Sequence, residues 1–302
     1  MRLLNRSAGR LSRHRRGPLA GLVVLLIGLL LTGGLYASFA PAQAGKADSN
    51  EELIQEGREL FLVSCAFCHG QSGEGLLTQK GDQFGPPLTD VGAAAVDFQV
   101  GTGRMPLQQP GAQAPRKKVV FNEEETAALA AYVASLGTGP AIPEEVDYDL
   151  DTYLDSEGLE GEERAEAREA SIVRGGQIFL SNCTACHNFE GSGGAMPRGG
   201  QAPKIRGVDS KHIYEAMLTG PQSMDTFSNG NLPPDAKRDV IAYLNELDEQ
   251  PAYGGWGSGG LGPVVEGLWA WLIGIGLLVG FAVWIASHST RTTKEPSKGV
   301  DA

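Results

Sequence analysis

The sequence predicts a mainly α-helical protein in which one small domain occurs twice between two membrane-spanning helices. Three observations lead to this prediction. All four cysteines of the 302-residue chain lie in two Cys-x-x-Cys-His motifs, "SCAFCHG" from Ser64 and "NCTACHN" from Asn182. The residues that flank one motif match those that flank the other. Near each end of the chain, an uncharged stretch is long enough to cross a bilayer as a helix.

The first element is a basic segment followed by an apolar stretch. Residues 1–17 carry six arginines and no acid, and residues 18–40 carry no charge. A helix of this length spans the ~30 Å hydrocarbon core, and its basic flank predicts a cytoplasmic N-terminus. We interpret residues 1–44 as a cytoplasmic basic segment and a membrane anchor. A cleaved signal peptide is the alternative, because "AQA" at 42–44 resembles a cleavage site.

The first copy of the repeated domain is predicted over residues 45–140. Leu53, Leu60 and Phe61 recur at helical spacing, which indicates an amphipathic helix that ends at the cysteines. Gly- and Pro-rich stretches after the motif indicate loops. A closing helix is predicted from Asn122, its N-cap, to Leu136, with acidic residues in its first turn.

An acidic segment, residues 141–170, separates the two copies. Residues 143–170 hold twelve acids and two arginines. This composition is typical of a solvated linker, and helix is expected only over 161–170. A docking surface for a basic partner is the alternative interpretation.

The second copy is predicted over residues 171–250. "GGQIFLSNCTACHN" from Gly175 matches "GRELFLVSCAFCHG" from Gly57, and "IAYLNEL" at 241–247 matches "AAYVASL" at 130–136. Its closing helix is predicted from Pro234 to Leu247. A domain of this size has a thin core and usually needs a cofactor or a cross-link.

The C-terminal part begins with a flexible Gly-rich linker, residues 251–263. Residues 264–287 are predicted to span the membrane, and residues 288–302 form a basic cytoplasmic tail. Both repeats then lie on the extracytoplasmic side of a bacterial cell membrane, crossed twice by the chain. The net charge of −11 argues against nucleic acid as a partner.

Three chemistries fit a Cys-x-x-Cys-His motif. A redox thiol pair is expected in a βαβ setting, whereas the surroundings here indicate helices and loops. A structural zinc site needs four ligands, and each repeat offers three. Covalent attachment of haem c uses all three side chains. We therefore predict two haem c groups, with thioethers to four cysteines and proximal iron ligation by two histidines: Cys65, Cys68, Cys183, Cys186, His69 and His187.

The sixth iron ligand is expected to be methionine, because the exported region has few histidines left. Met105 lies 36 residues after His69, and Met224 lies 37 residues after His187, so the repeat selects this pair. Met217 is more simply a core residue, and Met196 is close in sequence to its histidine. His212 is a weaker alternative. With both axial positions filled, electron transfer is the expected reaction.

The sequence resembles a known family. "LFLVSCAFCHG", "FQVGTGRMP" followed by "QAPRKK", "IFLSNCTACHNF", "AMLTGPQSM" and "DVIAYL" occur in this order before the C-terminal apolar helix. This arrangement is similar to the dihaem cytochrome c subunit of the actinobacterial cytochrome bc complex, the menaquinol–cytochrome c reductase. The resemblance implies two tandem class I cytochrome c domains plus N- and C-terminal transmembrane helices.

The resemblance also implies partners. They are the cytochrome b subunit, the Rieske iron–sulfur subunit as electron donor, and an aa-type cytochrome oxidase as acceptor. The first haem is expected to face the Rieske subunit and the second the oxidase. The alternatives are a free-standing membrane-bound dihaem carrier and a dihaem peroxidase, which would need one haem to lose its distal ligand.

Overall fold

The structure, a computed structural model, describes residues 18–39, 43–109, 111, 113–196, 199–250 and 263–288. The described chain is mainly helical, which confirms the predicted class. Its strands form two short antiparallel hairpins. Expectations for residues 1–17, 251–262 and 289–302 lie outside the described residues. The chain divides into two units: unit 1 holds residues 1–89 and 122–137, and unit 2 holds residues 90–121 and 138–302.

The described residues of unit 1 form four helices and one hairpin. They are α1 (Pro18–Phe39), α2 (Gln43–Ser64), α3 (Ala66–His69), β1 (Leu76–Leu77), β2 (Gln83–Gly85) and α5 (Glu123–Ser135). The strands pair with Leu76 opposite Gly85 and Leu77 opposite Gln83.

The core of unit 1 is the contact between α2 and α5. Phe61 of α2 is buried, and its ring lies 5.1 Å from that of Tyr132. The helices cross at Gly57, where an added Cβ would lie 1.9 Å from the Ala128 carbonyl oxygen. Asn122 caps α5 as predicted. Its side chain accepts from the Glu125 amide, and the Glu125 carboxylate accepts from the Asn122 amide.

Unit 2 contains the remaining helices and the second hairpin. They are α4 (Ala93–Gly101), α6 (Glu145–Tyr148), α7 (Leu150–Ser156), α8 (Gly161–Asn182), α9 (Thr184–His187), β3 (Gly194–Ala195), β4 (Gln201–Ala202), α10 (Ser210–Thr219), α11 (Pro234–Glu249) and α12 (Pro263–Ser287). In the hairpin Gly194 pairs with Ala202 and Ala195 with Gln201.

The core of unit 2 repeats the arrangement of unit 1. Helix α8 crosses α11 at Gly175, where an added Cβ would lie 1.9 Å from the Asp239 carbonyl oxygen. Phe179 is fully buried and takes the place that Phe61 has in unit 1. The cluster around it, called the second core here, also contains Ile213, Tyr214, Met217, Val240, Ile241 and Leu244.

The acidic segment is more ordered than its composition indicates. The expected helix over 161–170 is present as the start of α8, and α6 and α7 precede it. Leu150 and Leu154 are buried against Ala242 of α11. Arg164 pairs with Asp151 at 2.8 Å, which ties α8 to α7. Residues 145–156, expected to be solvated linker, are therefore packed helices in unit 2, with most of their acids at the surface.

Residues 90–121 cluster with unit 2, although the sequence analysis assigns them to the first domain. They contain α4, which packs against α10. The amide of Ala94 also donates to the Pro140 carbonyl at 3.1 Å. The predicted domain limits remain predictions.

One helix of the described chain, Val264–Ser287 within α12, is long and apolar enough to cross a membrane. Helix α1 is present where the N-terminal anchor is predicted, and its apolar run over Gly21–Thr32 is shorter. A second membrane crossing by α1 therefore stays a prediction.

Candidate haem-binding sites

Each motif occupies a short turn of helix at the end of a long one. In unit 1, α2 ends at Ser64, and Cys65 is the N-cap of α3, which carries Cys68 and His69. The His69 amide donates to the Cys65 carbonyl at 3.0 Å. In unit 2, α8, Cys183 and α9 repeat this arrangement. All four cysteines, each in the described part of the chain, are free thiols.

The histidine rings are oriented by backbone carbonyls. Nδ1 of His69 lies 2.8 Å from the Pro86 oxygen, and Nδ1 of His187 lies 3.0 Å from the Pro203 oxygen. A carbonyl oxygen can only accept, so each Nδ1 carries the hydrogen. The lone pair of each Nε2 is then free to bind a metal. This is the tautomer that an axial iron ligand requires.

The loops that bring these prolines to the rings also match. The Gly75 amide donates to the His69 carbonyl at 2.7 Å, and the Gly193 amide donates to the His187 carbonyl at 2.9 Å. The residue after each histidine has a positive φ, 81° in the first motif and 63° in the second. Both turns then lead into a two-stranded hairpin. The two motifs thus have the same local backbone structure.

The thiols are poor candidates for disulfide exchange. Burial, together with the neighbouring Cys68 thiol, raises the pKa of Cys65 to about 11. Burial, together with Cys186, raises the pKa of Cys183 to about 11. A redox-active thiol needs the opposite shift, because the thiolate is the nucleophile.

The motifs do not form a zinc site in the described part of the chain. The one group there of three or more His, Cys, Asp or Glu side chains close enough to share a metal ion is Asp97, His212 and Glu215. It contains no motif residue. The donor set of each motif, two unpaired thiols and an oriented imidazole in one helical turn, fits covalent haem c instead.

The methionines of unit 2 occupy different environments. Met217 lies in the second core and is 4% exposed, as expected for a core residue. Met224 is partly exposed and packs against the edge of the same cluster, which Cys183 also contacts. The Met224 loop begins at Gly220, whose left-handed φ of 60° ends α10. The Phe227 amide closes the loop by donating to the Met217 carbonyl at 2.8 Å.

Met105 follows α4 in unit 2, whereas His69 is in unit 1, so their pairing on one iron stays a prediction. The Met105 amide donates to the Gln99 carbonyl at 2.8 Å. Lys117 Nζ donates to the carbonyls of Gly103 and Arg104, each at 2.9 Å. These bonds fix the backbone just before the methionine.

Two features of the sites are not among the predictions from sequence. The carbonyls of Pro86 and Pro203 lie 17 and 16 residues after their histidines. The prolines of "GPPL" and "QAPK", at similar distances from the two motifs, were the available signal. The second feature is the contact of Asp97 with α10. The available signal for this contact was the single acid in the apolar stretch "AAAVDFQVG".

Comparison with known proteins supports the duplicated design. A cytochrome c family model matches residues 54–137, and the model for subunit III of cbb3-type cytochrome c oxidase matches residues 170–244. The cytochrome bc1 complex cytochrome c subunit of Corynebacterium diphtheriae is 42% identical over 290 residues, which cover 95% of this chain and 100% of the relative. The chain belongs to this family of cytochrome c subunits.

Other members are similarly close to this cytochrome c subunit. The cytochrome bc1 complex cytochrome c subunit of Mycobacterium tuberculosis H37Rv is 42% identical over 93% of this chain and 95% of the relative. The FixP subunit of cbb3-type cytochrome c oxidase from Bradyrhizobium diazoefficiens is more distant, at 24% identity over 72% of this chain and 70% of the relative.

Proposed function

We propose that this cytochrome c subunit is a membrane-anchored dihaem electron carrier of a respiratory quinol–cytochrome c reductase. The observation that carries the proposal is the end-to-end similarity to cytochrome bc1 complex cytochrome c subunits. The duplicated motif with an oriented histidine in each copy supports it independently.

Two covalently bound haem c groups are the proposed cofactors. Cys65 and Cys68 would hold the first, and Cys183 and Cys186 the second. When bound, each haem supplies a centre that takes up and releases one electron.

The axial ligands are proposed to differ on the two sides of each haem. His69 and His187 would bind iron through Nε2, while the Pro86 and Pro203 carbonyls hold the rings in orientation. Met105 and Met224 would each supply a further iron ligand, and a thioether ligand would raise the reduction potential.

The proposed partners follow from the family. The chain would work beside a cytochrome b subunit, with the Rieske iron–sulfur subunit as electron donor and an aa-type cytochrome oxidase as acceptor. Helix α12 would anchor it in the cell membrane, together with α1 if that helix is retained. Both haem domains would then lie on the extracytoplasmic side, in keeping with the basic residues outside both apolar segments.

Purification through a C-terminal tag in mild detergent tests this proposal. The preparation should contain b-type haem, a Rieske protein and two c-type haems per copy of this chain. A matched preparation from Cys183→Ser/Cys186→Ser should keep the b-type haem and lose one c-type haem. A dihaem chain without cytochrome b would instead indicate a free-standing carrier and contradict the proposal.

A further inference from the structure

A cluster of three metal-ligating side chains lies in unit 2 outside the cysteine motifs. Asp97 belongs to α4, and His212 and Glu215 belong to α10. One ligand atom from each residue lies within 4.8 Å of the other two, and His212 Nε2 is 4.0 Å from Asp97 Oδ2. Asp97 is 8% exposed and Glu215 is 0% exposed. Two acids are thus buried side by side with an imidazole at their edge.

The buried Glu215 carboxyl group makes no hydrogen bond in the described part of the chain that would offset its loss of hydration. Neither of its oxygens has a hydrogen-bond partner within the described residues. Lys211 Nζ lies 2.6 Å from Asp97 Oδ2, so one ammonium group faces the two acids. Buried polar atoms are nearly always bonded, so a fully buried carboxyl group with two unbonded oxygens is unusual. Glu215 therefore points to a missing ligand at this place.

We propose that Asp97, His212 and Glu215 together bind one divalent transition-metal ion of the Zn²⁺ class. One imidazole and two carboxylates are donors that Zn²⁺ accepts at about 2.0–2.2 Å. Ligand atoms around a tetrahedral ion at that radius are about 3.4 Å apart. The ligand atoms, now within 4.8 Å of one another, would have to move closer together when an ion binds.

The surroundings allow such an ion to enter. The His212 side chain is 23% exposed, and the Lys211 side chain is 30% exposed, so the lysine can turn its ammonium group to solvent when an ion takes its place. Ca²⁺ fits poorly, because it takes six to eight oxygen ligands. The ion would cross-link α4 to α10 and so brace the segment that leads to Met105. The proposal does not depend on the haem assignments.

Elemental analysis of the purified full-length haem-loaded chain tests the site. The detergent-solubilised protein is stripped with a chelator, dialysed against ZnCl₂ and analysed for zinc per c-type haem. We expect one tightly held Zn²⁺ per chain. Glu215→Gln should weaken Zn²⁺ binding more than about tenfold, because even the loss of an outer-shell partner typically costs that much. Glu166→Gln, an exposed acid of α8, should bind as the wild type does.

The haem c content of each variant shows whether it has folded, and X-ray absorption at the zinc edge identifies the ligands. A shell of nitrogen and oxygen without sulfur supports the site. Wild-type protein that retains no zinc after dialysis overturns the proposal whatever the stability of the variants, and so does equal zinc retention by the wild type and a haem-loaded Glu215→Gln. Stoichiometric uptake of Ca²⁺ in place of Zn²⁺ overturns it as well.

Discussion

Because α8 and α11 cross closely at Gly175, we expect a larger residue at this position to lower the free energy of unfolding. Gly175→Ala places a methyl group 1.9 Å from the Asp239 carbonyl oxygen and 2.4 Å from its carbon. Both atoms belong to the backbone of α11, so no side chain can turn away. To reach an ordinary contact of about 3.4 Å, the helices must part by roughly 1.5 Å at this point.

This separation would open the second core. Phe179, Val240 and Ile241 are each no more than 1% exposed beside the crossing. Overpacking of this kind typically costs about 1–3 kcal/mol and occasionally more, while alanine regains about 1 kcal/mol of helix propensity. We expect Gly175→Ala to be less stable than the wild type by up to about 2 kcal/mol, or by more if the crossing cannot open.

The adjacent Gly176 provides a matched control. Its added Cβ would meet the ring of Tyr243 at 3.1 Å, and a ring can shift by the few tenths of an ångström required. Gly176→Ala should therefore keep most of the gain in helix propensity and be at least as stable as the wild type.

Thermal unfolding of the haem-loaded chain, followed by circular dichroism, measures the difference. Each kcal/mol should move the midpoint by about 2–4 °C for a unit of this size. Gly57→Ala repeats the experiment in unit 1, where the Ala128 carbonyl oxygen is also 1.9 Å away. Equal melting temperatures for Gly175→Ala and Gly176→Ala would show that α8 and α11 are not in close backbone contact at Gly175.

Three further predictions concern single side chains. Met224→Leu should abolish the red charge-transfer band of one methionine-ligated ferric haem and lower that haem's potential, whereas Met217→Leu should leave both unchanged; the opposite result in redox titration would refute the ligand assignment. Burial lowers the pKa of Lys237 to about 8, so the folded state holds fewer protons than the unfolded chain between about pH 8 and 10.5. The free energy of unfolding of the wild type should therefore rise with pH over that window. Denaturant titrations of Lys237→Met should show a smaller rise, and an equal rise in both proteins would contradict the lowered pKa. Asn122→Ala removes the cap of α5 and should cost about 1 kcal/mol in the same titrations, while no loss would mean that the capping box contributes nothing.

Features set by local sequence were predicted well. Helix α5 was expected from Asn122 to Leu136 and runs from Glu123 to Ser135, because its cap and first-turn acids act within a few residues. The helical spacing before Cys65 likewise indicated α2. The repeat identified both oriented histidines, since each motif folds within one helical turn.

Features set by contacts distant in sequence were not predicted. The acids around Leu150 and Leu154 suggested a solvated linker, yet these two leucines, four residues apart, bury one face of α7 against α11. The Pro86 carbonyl meets His69 only after the intervening loop has folded. Nothing local relates Asp97 to Glu215, which are 118 residues apart in sequence.

In the proposed function, this cytochrome c subunit receives electrons from a quinol-oxidising complex through two haem c groups. Adding a reduced quinol to the complex purified through this chain, with the c-type and b-type absorption bands recorded together, tests it most directly. We expect both c-type haems to become reduced, and we expect loss of the Rieske protein to stop this while cytochrome b is still reduced. Reduction of cytochrome b with both c-type haems remaining oxidised in the intact complex would contradict it.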